Sequence, residues 1–226
     1  MRTLVIGDIH GCLTALDAVL AFSGVSAADT LILLGDYIDR GPDPAGVIKR
    51  IINLRKTHSV LPLLGNHEQM LLGARFNMLL NHEWVANGGD TTLHSYGGRY
   101  GSLRDIPAEH WMFLQSLALY HETSTHIFVH AGVDPALPMA SQPEYALLWE
   151  RFHEPPPRHI SGKIVVCGHT PGRTVRFSSR AICLDTGAFR SDGLLTCLDV
   201  GSGRLYQANQ RGQTRMGHLG EASSEK

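Results

Sequence analysis

Over the first seventy residues, three units follow one another. Each has a run of leucine and β-branched residues, a glycine, a polar cluster and an amphipathic stretch. TLVIGDIHG leads into a stretch with Leu13, Leu16, Val19 and Leu20 on one side. TLILLGD leads into DPAGVIKRIINLRK, where Asp43 suits a helix N-cap and Pro44 the first helical position. Val47, Ile48, Ile51 and Ile52 form its apolar stripe. SVLPLLGNHE leads into a third helix-like stretch through Met70, Leu71 and Leu79. Continuous apolar strands alternating with helices predict βαβ units whose strand ends gather on one edge of a sheet.

Past residue 73 the periodicity weakens. The stretch NHEWVANGGDTTLHSYGGRYGS predicts an irregular insertion over about 73–106. A helix resumes at PAEHWMFLQSL behind Pro107, and strand-like runs dominate thereafter: HIFVHAG, KIVVCGHT, AICLDTGAF, LLTCLDV and RLYQA. Gly201, Ser202 and Gly203 suit a hairpin turn between the last two. HEPPPRH reads as a surface connection. The expectation is a single α/β domain over 1–210, followed by a disordered tail over 211–226, where QRGQTRMGHLGEASSEK offers little apolar surface to pack.

Composition changes this picture little. A chain of 226 residues suits one sizeable domain, and 43% hydrophobic with 18% charged residues fits an ordinary soluble protein. A net charge of −1 argues against a general binder of nucleic acid or acidic membranes. No apolar stretch approaches a membrane span, and no signal-peptide pattern opens the chain. Cys12, Cys167, Cys183 and Cys197 show no CxxC spacing, which fits reduced thiols in a cytoplasm. Without a heptad pattern, a monomer is the default.

What needs explaining is where the apolar runs stop. They end in glycine-flanked polar residues: Asp8 and His10, then Asp36, Asp39 and Arg40, then Asn66, His67 and Glu68, then His130, then His169. Burying an unpaired carboxylate is expensive, and ligands of open α/β sheets bind beyond the carboxyl ends of strands. Each piece alone has a plainer reading. Gly-Asp is a common turn, a strand histidine is more often a hydrogen-bonded core residue, and GNHE can simply open a helix. Five in succession, each at a strand end, point to one pocket. Carboxylate, amide oxygen and imidazole without thiolate suit divalent ions such as manganese, iron or zinc. Asp8, His10, Asp36, Asn66, His130 and His169 suffice for two divalent ions if one carboxylate bridges. Such a pair sits about 3.5–4 Å apart, as in-line displacement at phosphorus requires.

Those same pieces, GDIHG, GDYIDRG, GNHE, HAG and GHT, resemble the metallophosphoesterase signature of the phosphoprotein phosphatase (PPP) family over residues 7–170. LDTGAF…LLTCLDV extends the likeness to about residue 200, and WVANGG and LLWER resemble the bacteriophage lambda protein phosphatase and its small bacterial relatives. The resemblance implies two facing mixed β-sheets flanked by helices. It implies a manganese-type serine/threonine protein phosphatase in which a metal-activated water attacks directly. Asp8 and His10 would bind the first metal, Asp36 would bridge, and Asn66, His130 and His169 would bind the second. His67 would be the general acid, held by Asp39, while Arg40, Asn66 and Arg151 would grip phosphate. The Arg151 role rests on the single W-x-R match.

The chemistry agrees with those roles. A phosphomonoester dianion needs charge neutralisation, and an alkoxide leaving group needs a positioned acid. No cysteine or serine sits in a nucleophile motif, and Cys12 lacks the CxxxxxR loop of thiolate phosphatases. Substrates would be phosphorylated proteins or peptides and small phosphate esters. The rival is a symmetrical diadenosine tetraphosphate hydrolase, whose second motif usually carries alanine where this chain has Asp39, and GNHD in place of GNHE. A catalytically inert metal- or partner-binding module is disfavoured, since no ligand is missing. Glu68 either supports a ligand from behind or adds favourable charge in the first turn of a helix, and the second reading is preferred. Trp84, His94 and Tyr96 read as insertion residues bordering the site, packing a lid rather than touching substrate.

Overall fold

Alternating side chains sort the strands into layers. The structure, a computed structural model, describes residues 1–220. Among them, β1 (Thr3–Ile6), β2 (Thr30–Leu33), β3 (Ser59–Pro62), β9 (Leu195–Asp199), β10 (Arg204–Ala208) and β11 (Thr214–His218) form one sheet in the order β11-β10-β9-β1-β2-β3. The second sheet holds β4 (Tyr120–Glu122), β5 (His126–Val129), β6 (Ile164–Cys167), β7 (Arg176–Phe177) and β8 (Ala181–Cys183), in the order β4-β5-β6-β8-β7. Both are mixed. β1, β2 and β3 are parallel, as are β5, β6 and β8, and antiparallel strands flank each set.

Period two then decides what each residue touches. Val5, Ile32, Leu198 and Leu205 of the first sheet pack against Phe128, Val166 and Ile182 of the second, filling the space between the sheets. Leu4, Ile6, Leu31 and Leu33 point the other way, toward α1 (Leu13–Ser23) and α2 (Pro44–Leu54). The outer face of the second sheet, with Ile127, Val129 and Val165, is covered by α7 (Glu144–Trp149) through Leu147 and Leu148. This is the expected sandwich of two mixed sheets flanked by helices. Asp43 caps α2, its Oδ1 accepting the Gly46 N–H at 2.8 Å, and Pro44 opens the helix. No helix among the described residues is long and apolar enough to cross a membrane.

Two expectations need correction. Residues 73–106 are largely helical rather than irregular. α3 (Asn66–Ala74) stops, Asn77 caps α4 (Met78–Trp84) by accepting the Leu79 N–H at 2.8 Å, and a π-helical turn over Val85–Gly89 leads into α5 (Asp90–Gly97). Short 3-10 turns follow, before α6 (Ala108–Gln115). These helices are short and change direction at residues 75–77, Gly88–Gly89 and Gly97–Gly98, so no long apolar period accumulates; Leu79, read as part of a helix stripe, is 74% exposed. The second correction concerns the tail. Residues 214–218 form β11, paired antiparallel with β10. An edge strand can be held by its main-chain ladder with mostly exposed side chains, so a polar sequence does not exclude it. The remainder of the expected tail, 221–226, lies outside the described residues.

One ion pair ties the first strand to the second. Buried Asp29 accepts from Arg2 N at 2.9 Å, Arg2 Nη2 at 2.7 Å, Ser26 N at 3.1 Å and Ser26 Oγ at 3.0 Å. Hydrogen bonding from Arg2 holds the Asp29 carboxyl well below the usual carboxylate range. Its contribution is therefore complete above the unfolded value of about 4 and is lost as pH falls through the depressed folded value. Asp29→Asn is expected to lower unfolding free energy by about 1–2 kcal/mol at pH 7. Urea titrations at pH 7 and pH 3 should show the gap narrowing in acid.

Candidate active site

Six strands deliver the site. The loops after β1, β2, β3, β5, β6 and β8 bring Asp8 and His10, Asp36 to Arg40, Asn66 and His67, His130, His169 and Asp185 to one region. Their backbones are bent to an unusual degree. His10 (φ 45°), Asp36 (51°), Asp39 (69°), Arg40 (67°) and His169 (60°) are the non-glycine residues with left-handed φ among those described. Each such residue costs on the order of 1–3 kcal/mol and persists only where its surroundings over-determine it. Glu68 supplies much of that restraint. Fully buried, it accepts the N–H groups of Tyr37 (2.8 Å) and Ile38 (3.2 Å) on Oε1, and those of Asp36 (2.9 Å) and Gly65 (3.0 Å) on Oε2. It is a clamp on the Asp36 loop, not only the first-turn charge that the sequence suggested. Gly65 has no room for a side chain, since a Cβ there would meet Asp36 and lie 2.7 Å from Glu68 Oε2.

The donor atoms form two buried groups that share Asp36. His10, Asp36 and His67 make one, and Asp36, His130 and His169 the other, each with its ligand atoms within 4.8 Å of one another. The tautomers follow from the outer hydrogen bonds. His10 Nδ1 donates to the Ile38 carbonyl at 2.9 Å and His130 Nδ1 to the Leu34 carbonyl at 2.9 Å, which leaves both Nε2 atoms as acceptors. His10 Nε2 then lies 3.4 Å from Asp36 Oδ2, while His130 Nε2 lies 3.5 Å from Asp36 Oδ1 and 2.9 Å from Asn66 Oδ1. His169 Nδ1 is 3.1 Å from the same Asn66 oxygen, and its buried Nε2 has no hydrogen-bond partner. Acceptors aimed at acceptors are repulsive unless a cation lies between them.

Charge makes the same demand. Burial lowers His130, and lowers His10 and His169 to about 3, so these imidazoles are neutral, the form that ligates. Burial and neighbouring carboxylates push Asp8 well up, Glu68 to about 8 and Asp185 to about 6. Burial opposes the charge on Asp36 too, but the surrounding imidazoles outweigh it and hold its carboxyl below the ordinary range. Acids crowded this closely need positive charge. Together with the orphaned His169 nitrogen, they fit a dinuclear metal site. Asp8 belongs to neither close group; its carboxylate accepts the His169 N–H at 3.1 and 3.0 Å.

His67 differs from the other three imidazoles. Its Nδ1 lies 2.7 Å from Asp39 Oδ2 and its Nε2 3.9 Å from Asp36 Oδ2. Burial alone would lower it, but Asp36 and Asp39 more than offset that and raise it above the ordinary value. Asp39 is itself fixed: Trp84 Nε1 donates to Oδ2 at 2.9 Å and Thr92 Oγ1 to Oδ1 at 2.6 Å. Arg40 and Arg151, both exposed, stand at the rim. Arg40 Nη1 is 2.9 Å from His10 Nε2, with its guanidinium 4.8 Å from the Phe189 ring centroid; Arg151 Nη1 donates to the His169 carbonyl at 3.3 Å.

The expected site residues thus converge, with Arg151 reaching the group through the His169 backbone. Sequence reasoning missed Thr92, Asp185 and Phe189, and gave Trp84 a looser role than it has. Trp84 neither caps a lid nor waits for substrate; it is fully buried beneath Asp39. The run LDTGAF, which carries Asp185 and Phe189 on a glycine-broken strand end like the others, held the available signal.

This donor set suits phosphoester hydrolysis assisted by divalent metal ions. Residues 1–180 match the calcineurin-like phosphoesterase family, and the chain belongs to it. Over 192 residues the chain is 33% identical to serine/threonine-protein phosphatase 1 of Salmonella typhimurium, a match covering 81% of this chain and 85% of that protein. Over 149 residues it is 36% identical to a symmetrical bis(5'-nucleosyl)-tetraphosphatase of Acidovorax ebreus, covering 60% of this chain and 45% of that one. The chain spans about half the length of the tetraphosphatases it matches. In fold it is similar to the cold-active protein-tyrosine phosphatase of a Shewanella species, with TM-score 0.65, 18% identity, and coverage of 95% of this chain and 80% of that chain.

Proposed function

We propose that this protein is a two-metal phosphomonoesterase that removes phosphate from phosphoserine and phosphothreonine in proteins or peptides, with manganese as its ion. The observation that carries this reading is the His67–Asp39 pair with its Trp84 and Thr92 anchors. A serine or threonine alkoxide leaves poorly and needs a proton delivered as the P–O bond breaks. A nucleoside polyphosphate leaves as a stable anion and has far less need of one. With Nδ1 committed to Asp39, His67 can present only Nε2–H to a leaving oxygen, and Asp39 stabilises the imidazolium that holds that proton.

Asp8 and His10 would hold one ion, Asn66, His130 and His169 the other, and Asp36 would be shared. The ions would supply Lewis acidity, offsetting phosphoryl charge and making water acidic enough to attack near neutral pH. Arg40 and Arg151 flank the donor groups with forked guanidinium donors suited to phosphoryl oxygens, and the Asn66 amide can add another. Coverage of most of the Salmonella phosphatase also supports this reading.

The second reading, a symmetrical tetraphosphatase, is favoured by the 36% identity to the Acidovorax enzyme. Manganese-loaded protein should release phosphate from p-nitrophenyl phosphate and from a phosphoserine peptide, and should form little ADP from diadenosine tetraphosphate. ADP formation with no phosphate from the peptide reverses the order of the two readings.

A further inference from the structure

Beside the metal-ligand groups lies a cleft of about 680 Å³, of whose lining the proposed phosphoryl chemistry uses Arg40 alone. Arg40, Leu93, His94, Arg99 and Phe189 line it, with Asp90 as its carboxylate. Its volume is in the range that encloses a small ligand or a few residues of a peptide. Arg40 is the wall it shares with the catalytic centre, since the Arg40 guanidinium also reaches His10. A chain leaving a phosphorylated residue at the metals can therefore enter the cleft directly.

The polar lining is unbalanced. Two guanidinium groups and an imidazole face one carboxylate. The Lys and Arg ion pairs among the described residues belong to Arg2, Arg50, Lys163 and Arg176, so neither Arg40 nor Arg99 has a carboxylate partner. Arg99 is exposed, with no ion pair among the described residues, and its guanidinium lies 5.8 Å from the Tyr100 ring centroid. The lining is less suited to a nucleobase. Phe189 is the one Phe, Tyr or Trp ring lining the cleft, and it already meets the guanidinium groups of Arg40 (4.8 Å) and Arg190 (5.8 Å) and the edge of His10 (5.1 Å). Base stacking needs a free aromatic face.

We infer that this cleft receives the peptide flanking the phosphorylated residue, and that Arg99, with His94, selects an aspartate or glutamate side chain there. The inference rests on the phosphoprotein reading above and deepens it. Leu93 and the rest of the apolar lining lower the local dielectric, so a carboxylate beside Arg99 gains more than it would on open surface. Charge complementarity of this kind acts chiefly as discrimination, because a like charge placed in the cleft is repelled.

The test uses two phosphoserine peptides of equal length, one with glutamates on both sides of the phosphoserine and one with lysines. The ratio of their kcat/KM values is read within each protein, so any difference in active fraction cancels. The unaltered protein should favour the acidic peptide about tenfold. Arg99→Glu should abolish or invert that ratio, whereas Arg99→Lys should keep its direction. A ratio near one in the unaltered protein, or one that Arg99→Glu leaves unchanged, overturns the inference. Hydrolysis of neither peptide overturns the phosphoprotein reading itself, and this inference with it.

Discussion

Replacing His67 with asparagine is expected to lower turnover of a phosphoserine peptide by about 10²–10⁴-fold, the span that a positioned general acid contributes. The loss on p-nitrophenyl phosphate should be much smaller, because nitrophenolate leaves without a proton. Asparagine can still donate to Asp39, so the loop geometry survives, and metal analysis should return the same two ions per chain. The split between substrates matters because His67 also lies in the close group with His10 and Asp36. Equal losses on both substrates, together with a missing ion, would make His67 a ligand rather than an acid. The pH profile gives an independent check. Since Asp36 and Asp39 raise His67 above its ordinary value, peptide turnover should fall on the alkaline side as that proton is lost, and the variant should lack this limb.

Glu68→Gln is expected to be the most damaging change that touches neither substrate nor metal. Burial pushes Glu68 up to about 8, but four backbone N–H donors, two on each oxygen, and the charge of bound metal favour its ionised form. Glutamine keeps one acceptor and turns an amide donor toward the other pair, leaving two buried N–H groups without partners. At about 1–3 kcal/mol for each, the loss is roughly 2–6 kcal/mol. For a chain of this size that lowers Tm by roughly 4–24 °C. Calorimetry measures the stability, and manganese titration shows whether the second consequence follows: a loosened Asp36 loop should weaken both ion sites at once. A shift below about 2 °C would mean that the loop is held by something other than Glu68.

The strands and the ligand loops were legible because fully buried strands are unbroken apolar runs, and a charge at the end of such a run demands an explanation. The start of α2 was legible because a cap and a first-turn proline act locally. What stayed hidden depends on contacts between distant positions. Trp84 and Thr92 meet Asp39 across 45 and 53 residues, so no spacing in the chain announces them. Glu68 in GNHE reads the same whether it merely sits in a helix's first turn or clamps a loop thirty residues upstream. β11 forms by main-chain pairing, which polar side chains do not betray. The short helices of 73–106 face several directions and never build one stripe.

The left-handed backbones of His10, Asp36, Asp39, Arg40 and His169 set the chain's evolutionary direction under heat. Arg40 is the exposed one of the five, so glycine there relieves the strain without opening a cavity. Selection for heat resistance alone would therefore tend to replace the guanidinium proposed to grip phosphate with a residue that binds nothing. Laboratory evolution of this scaffold has to score turnover alongside survival, or it will enrich sturdy, idle variants.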